Sequence, residues 1–367
     1  MDKIAIALLQ IDDWIGPQGV AGAAAAVWSG GDIVAERYAG EARPGTPVDE
    51  HTLFALASVT KPVTAATAMA LISERRFELD DPVADLVPEF RQLANAESEL
   101  ESFRESITVR QLLCHTSGLP EDLKRGTFRR SSSPTMEQVT NAMCALPLEY
   151  QPGTQMVYSN AGYAILGRLI ERATSDDFWD VVWRTVLDPM TIRDTIDRPG
   201  PALDERIAIV QDPWGEGKPI ESYNSQYWRD LGLPWGGLFG SVRDLVRFAG
   251  AFLASEETMF PSDLMREMVT DQLSGLPGAV QSLRVHWPEA SWGLGWEVKG
   301  SKRKHWTGEL TSPATFCHFG AAGTLLWAEP EHDLALAVFA NRTTIHLWPF
   351  EPPRWARLSN SLISAVY

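Results

Sequence analysis

The chain has 367 residues, 44% of them apolar, enough for a sizeable core and too many for a disordered segment. At about 150 residues per domain the length suggests two lobes or one large domain. The 32 basic and 48 acidic residues give a net charge of −16, which would repel a nucleic-acid backbone, and no run reaches the ~18 apolar residues of a membrane span.

The chain opens MDKIAIALLQIDDW. Its apolar stretch, Ile4 to Ile11, is short and followed at once by Asp12-Asp13, with no small-residue cleavage site. A secretory signal is therefore not expected; an amphipathic helix on the body of a soluble, cytoplasmic protein is. Residues 21–39 carry two apolar runs around Ser29-Gly30-Gly31-Asp32, a hairpin signal. Thr60 to Arg76 has helical periodicity, with Pro62 in the first turn, where its missing N–H costs little. Thr108 and Gln111 form a capping box ahead of a short helix expected to stop near Gly118. Ala161 to Thr174 reads as another helix, and Ser241 caps a third running towards Ala254. The short basic run from Lys299 to Lys304 reads as a solvated turn. Strands are expected at Trp292 to Val298, Thr315 to Phe319, Thr324 to Glu329 and Leu334 to Asn341, with a turn over Pro330 to Asp333, and a closing helix from Arg354 to Tyr367.

Strands thus lie at both ends and helices in the middle. The expected class is α+β: one domain, 1–367, with an antiparallel sheet built from 1–80 and 285–367, flanked by helices, and a mainly helical lobe, 81–284, inserted.

Cys114, Cys144 and Cys317 are too sparse for a disulfide framework or thiolate zinc site and read as buried, reduced thiols. The seven histidines form no HExxH or other close pair, so neither metal nor cofactor is expected. GxSxG and P-loop patterns are missing.

Ser58-Val-Thr-Lys61 places a hydroxyl and an amine one helical turn apart on one face. Serine needs a base to become nucleophilic, and a desolvated lysine can serve, because burial disfavours its charged form. Alone, the pattern fits equally a helix N-cap with a solvated lysine, and Ser301 to Lys304 has the same spacing. Context separates them: Ser58 follows an apolar stretch and opens an amphipathic helix, whereas Ser301 sits in a charged turn. Tyr158-Ser-Asn160 is the single Y-x-N of the chain. Its phenol can shuttle a proton and its amide can hold a substrate carbonyl or the lysine; a core tyrosine before an Asn or Ser cap is the bland alternative. His318-Phe-Gly320 falls on a late strand, where Gly320 admits another backbone closely. The Ala321 and Ser58 N–H groups would then form an oxyanion hole. Of the fourteen tryptophans most belong in the core, but Trp214, Tyr223, Tyr227, Trp228 and Trp235, and further on Trp348 and Phe350, fall in irregular stretches that can rim an acyl pocket.

In this order, S-x-x-K, Y-x-N and H-x-G resemble the serine β-lactamase, penicillin-binding-protein and related esterase superfamily, in its class C-like branch with the family VIII carboxylesterases. The segments LLCHTSGLP (112–120), YSNAGYAILGRLIE (158–171), GGLFGSVRDLVRFA (236–249) and HFGAAGTLLWAEPEHDLALAVFANR (318–342) are similar too, so the resemblance spans Phe54 to Arg342. It implies a metal-free serine acyl-enzyme mechanism on a two-lobed fold. Penicillin-recognising members usually carry lysine at the first position of the third motif. His318 stands there, and a neutral imidazole favours uncharged acyl substrates over carboxylates. The expected activity is hydrolysis of small carboxylic esters. The alternatives are acyl transfer or amide and β-lactam hydrolysis through the same intermediate, or a non-catalytic sensor or scaffold.

Overall fold

The computed structural model describes residues 2–91, 98–124, 127–128, 133–211, 223–254, 259–343 and 354–366. Three strands come from the N-terminal part: β1 (Gly22–Ser29), β2 (Asp32–Arg43) and β3 (Thr46–Pro47). Four come from the C-terminal part: β4 (Glu297–Val298), β5 (Phe316–Gly320), β6 (Thr324–Glu329) and β7 (Leu334–Ala340). They form one seven-stranded antiparallel sheet in the order β4-β5-β6-β7-β1-β2-β3. The two ends of the chain meet at the β1–β7 seam, registered from Ala23↔Ala340 to Trp28↔Ala335. The class is α+β, as the order of elements in the sequence implies.

The alanine run of β1 shows why this strand is central. Ala24 and Ala26 join the core on one face, and Ala23, Ala25 and Val27 the core on the other; all are fully buried. A strand covered on both faces loses its polar alternation, and small side chains let helices lie close. Helices α1 (Lys3–Leu8) and α6 (Arg354–Val366) cover one face, and α2 (Thr60–Ser73) and α5 (Val242–Gly250) the other. At Gly250 helix α5 lies on the Trp28 indole, where an added methyl would be 2.5 Å from the ring. Between the two halves of the sheet run α3 (Val109–Leu113), α4 (Asn160–Thr174) and shorter helices. This stretch also carries strands. Thr195–Asp197 and Leu238–Gly240 pair in one small sheet with Phe54–Ala55, and Met156–Val157 joins Gly278–Val280 and Val285–Trp287 in another. Among the described residues no helix is long and apolar enough to cross a membrane. All three cysteines are buried free thiols.

Three local expectations are corrected. The helix after Thr108 has its capping box but ends at Leu113, and the left-handed residue that stops it is His115 (φ 61°), well before Gly118. The strand expected over Trp292 to Val298 shrinks to Glu297–Val298, because Gly293 and Gly295 turn the chain back: Gly293 N–H donates to Trp296 O at 2.8 Å, and Gly295 (φ 92°) sits against α2, where a Cβ would be 2.3 Å from Ala65. The basic run 299–304 is only partly a solvated turn: Ser301, Arg303 and Lys304 are exposed, but two of its lysines are not. Lys299 and Lys302 are buried, and Lys302 Nζ donates to Glu297 Oε1, Ser291 O and Val298 O, each at 2.8 Å.

Candidate active site

Ser58 lies in a single 3-10 turn, Ala57–Val59, that feeds α2. Ala57 is held at φ 46°, a left-handed conformation costing a non-glycine residue roughly 1–2 kcal/mol. Bonds on either side hold it there. Leu56 N–H donates to Leu238 O at 2.9 Å, the Thr324 hydroxyl donates to Leu56 O at 2.9 Å, and Leu238 N–H donates to Thr60 Oγ1 at 3.2 Å. Every α2 residue from Thr60 to Ile72 is buried, so Lys61 is carried into the interior.

The Lys61 ammonium nitrogen is 3.1 Å from Ser58 Oγ, 2.8 Å from Asn160 Oδ1 and 3.1 Å from the Trp235 carbonyl oxygen. No carboxylate pairs with it among the described residues. Burial therefore holds its pKa well below 10.5, against a weaker upward pull from Asp122 and Glu121. The geometry has a chemical reading. Two N–H bonds go to the two carbonyl acceptors. The remaining position, facing Ser58, is then a third N–H in the charged form and a lone pair in the neutral one. Only the neutral amine can take the serine proton.

Tyr158 stands beside this pair, with Lys61 Nζ 4.6 Å from the centre of its ring. Burial pushes the phenol pKa well above 10.0, although the Ser58 hydroxyl favours the phenolate. The Tyr158 hydroxyl is buried and closes no hydrogen bond of normal geometry among the described residues. The motif sits on a template made by residues 115–121. Val157 N–H donates to His115 O (3.0 Å), Ser159 N–H to His115 Nδ1 (3.1 Å), the Ser159 hydroxyl to Pro120 O (2.7 Å) and Asn160 N–H to Glu121 O (2.7 Å). Ser159 also caps α4, accepting from Gly162 N–H. The Asn160 amide is fixed at both ends, its Nδ2 donating to Asp122 Oδ2 at 2.9 Å.

On the opposite wall β5 approaches the nucleophile turn. A Cβ on Gly320 would lie 2.2 Å from Leu56 O, so the glycine is what lets the strand come close and brings Ala321 to the cavity wall that Ser58 shares. His318 is placed otherwise than expected. It is 1% exposed, it is not among the cavity-lining residues, and its ring lies behind Tyr158 and Trp292, with centroids 6.0 and 5.9 Å away. Its Nδ1 is 2.9 Å from Phe319 O, which turns the ring along the strand. Burial, with Lys61 nearby, lowers its pKa to about 3. Burial favours the neutral imidazole, as its type suggested, but the ring does not line the cavity. A lysine there would bury a second cation beside Lys61.

The site opens on a cavity of about 450 Å³. Ser58, Tyr158, Asn160 and Ala321 line it, as do Trp228, Trp235, Tyr223 and Phe319. Trp348, Phe350 and Trp214 lie outside the described residues. Among the lining residues that the sequence does not single out are two ionisable ones, Glu121 and Asp122. Burial raises the Glu121 pKa, and its Oε2 accepts from Ser282 N–H at 2.8 Å. His115, within the segment 112–120, is a further residue that the sequence patterns do not single out.

A second cluster of ionisable groups, the one that holds Lys302, surrounds Glu297. The Glu297, His305 and Cys317 donor atoms lie within 4.8 Å of one another. Lys302 Nζ already holds Glu297 Oε1 at 2.8 Å, and the Trp306 N–H donates to Oε2 at 2.6 Å. A metal ion there would have to displace an internal cation, so the donor set does not fit one.

The sequence matches the Beta-lactamase family model over residues 10–356. A Salmonella agona (strain SL483) protein named "Putative D-alanyl-D-alanine carboxypeptidase" is 25% identical over 347 residues, 84% of this chain and 74% of that one. A β-lactamase from Mycobacterium bovis is 27% identical and superposes with a TM-score of 0.65, covering 98% of this chain and 99% of that one. A family VIII carboxylesterase, 20% identical, shares the fold at a TM-score of 0.78 over 99% of this chain and 96% of its own. The chain belongs to the β-lactamase family of serine hydrolases.

Proposed function

We propose that the protein cleaves small, uncharged carboxylic esters through an acyl-enzyme on Ser58. The observation that carries this reading is the charge of the cavity: its described lining holds Glu121 and Asp122 and no lysine, arginine or histidine. A substrate carboxylate would meet repulsion there instead of the charge-assisted contact, about 1.5–3 kcal/mol, that a facing cation supplies. The same observation disfavours the activity in the name of the Salmonella relative, because a peptide C-terminus is an anion.

The opposed shifts of Lys61 and Tyr158 support a division of labour. Neutral Lys61 takes the Ser58 proton as Oγ bonds to the acyl carbon. The Ser58 and Ala321 N–H groups stabilise the oxyanion. Tyr158, protonated at rest, gives its proton to the departing alcohol oxygen and is reprotonated from Lys61. Water then attacks the ester carbon, the same groups carry its proton back to Ser58 Oγ, and the acid leaves. Transfer to an added alcohol is the same second step with another nucleophile.

The test pairs a carboxylate-bearing substrate with its methyl ester, alongside p-nitrophenyl esters of short acids. Neutral esters are expected to show much the higher kcat/KM, and Ser58→Ala should lower kcat by ~10⁴ or more. Preference for the free carboxylate, or full activity in Ser58→Ala, would overturn the reading.

A further inference from the structure

We propose that His115 is a positioning residue for the Tyr158–Asn160 turn, holding the backbone on both sides of Tyr158 and backing its ring. The inference rests on the reading of Tyr158 as part of the reacting unit.

The backbone provides the first observation. His115 follows the C-cap of α3, where Thr116 N–H bonds to Gln111 O (2.9 Å) and His115 N–H to Leu112 O (3.4 Å). This is the double closure in which glycine is usual, because the residue is left-handed. Histidine stands there at φ 61°. Its side chain is thus kept at a position where glycine would relieve strain, which points to work done by the imidazole.

That work is visible in three contacts. The His115 carbonyl accepts Val157 N–H, and its Nδ1 accepts Ser159 N–H. One residue therefore holds the amides immediately before and after Tyr158. Its ring lies 4.7 Å from the Tyr158 ring, 5.3 Å from Tyr163 and 5.0 Å from Trp292, and the residue is 1% exposed. Accepting at Nδ1 puts the imidazole proton on Nε2. Burial, helped by Lys61 and His318, holds the pKa well below 6.5, so the Nδ1 lone pair stays available. His115 does not line the cavity. It acts through Tyr158 and has no contact with substrate.

Two variants of the full chain separate positioning from packing. In His115→Asn, Oδ1 can replace Nδ1 as acceptor and the left-handed backbone is tolerated, but the ring is lost. In His115→Phe the ring remains and the acceptor is gone. The second-order rate of Ser58 phosphonylation, and ester kcat, should fall ~10–100-fold in His115→Phe, the scale of a small displacement of a reacting group, with KM within a few-fold. His115→Asn should recover most of the rate yet melt at a lower temperature than His115→Phe, so that rate and Tm rank in opposite orders. Added to Tyr158→Phe, His115→Phe should cost little more, because its effect passes through the missing hydroxyl. Rates that follow Tm across both variants, or a full multiplicative loss in the double variant, would overturn the proposal. Phosphonylation needs no ester turnover, so a wild type that labels at Ser58 but hydrolyses no ester would sink the ester reading and leave this comparison intact.

Discussion

Two of the buried lysines, Lys61 and Lys302, stand in opposite surroundings. Lys61 and Lys302 are both shut away from solvent. Lys302 meets a carboxylate, Glu297, at 2.8 Å, two carbonyl oxygens, and the face of Trp287 at 4.6 Å. Around Glu297 its ammonium, the His305 ring and the Trp306 N–H leave neither oxygen unpartnered. Lys61 meets only neutral oxygens among the described residues, where the Tyr158 hydroxyl, Trp292 Nε1 and the Nε2 atoms of His115 and His318 are buried and close no hydrogen bond of normal geometry. Burial is common to both sites; what sets Lys61 apart is that no carboxylate pairs with it among the described residues, the condition under which a buried lysine can serve as a base. Trp292 links the two, with Lys302 Nζ 5.6 Å from its ring centre and the Tyr158 ring 5.9 Å away.

The sharpest way to break this contrast is to replace each lysine by methionine, which keeps the length and removes the charge. Lys61→Met should lower kcat by ~10³–10⁴ and leave Tm unchanged or raised, since an unpaired buried cation is itself a cost. Lys302→Met should do the reverse. It strands a buried carboxylate and should cost roughly 3–5 kcal/mol of stability, while kcat per folded molecule stays near that of the wild type. Denaturant unfolding and active-site titration on the same preparations decide between them. Equal losses of stability in the two variants would mean that both lysines are structural.

Acid should expose the second cluster next. Lys302 and its neighbours hold the Glu297 pKa to about 2, against an ordinary 4.5, despite burial. A depressed carboxylate pKa stabilises the fold fully above the unfolded-state value, and this contribution disappears as pH falls through the folded one. The window is therefore about 4.5 down to about 2, and the loss about 3 kcal/mol. Glu297→Gln combined with Lys302→Met should flatten the profile in that window. An unchanged slope would show that other carboxylates govern acid unfolding.

What could be read without the fold follows the same division. Ser58 and Lys61 are three residues apart across a 3-10 turn and the helix it feeds, and Tyr158 and Asn160 are two residues apart at a helix start, so local spacing suffices to bring each pair together. The alternation of apolar runs and turns likewise gave the β1–β2 hairpin and the β6–β7 turn. What could not be read depends on packing between distant segments. The Trp235 contribution to Lys61 is a backbone carbonyl, which leaves no mark in a sequence. Lys302 sits in a run that looks solvated until Glu297 is brought beside it. Burial agrees with reading His318 as neutral, but its direction is set by the turn of its ring towards Phe319 O and by the rings of Tyr158 and Trp292. His115 ends a helix in a role where glycine is the recognised signal, so the reading passed over it to Gly118.

The smallest expected effect concerns Glu121, one of the two cavity carboxylates proposed to repel a substrate anion. Glu121 raises the Lys61 pKa, working against the burial that lowers it. Glu121→Gln removes that charge and keeps an oxygen for Ser282 N–H, now held by Glu121 Oε2. Lys61 should then titrate lower. With the neutral amine as the proposed active form, the acid limb of kcat/KM should move to lower pH. A charge across a partly hydrated wall is worth roughly 0.5–1 kcal/mol, or roughly half a pH unit. The substitution should also raise kcat/KM for a carboxylate-bearing substrate relative to its methyl ester, by a similar ~2–5-fold. Asp263→Asn serves as a control for net charge, since Asp263 is exposed and outside the cavity lining. Both readouts should respond to Glu121→Gln and neither to Asp263→Asn. A limb that stays in place would mean that Lys61 is not the base whose titration sets it. A limb that moves while the acid-to-ester ratio does not would keep Lys61 as base and place the charge discrimination on Asp122.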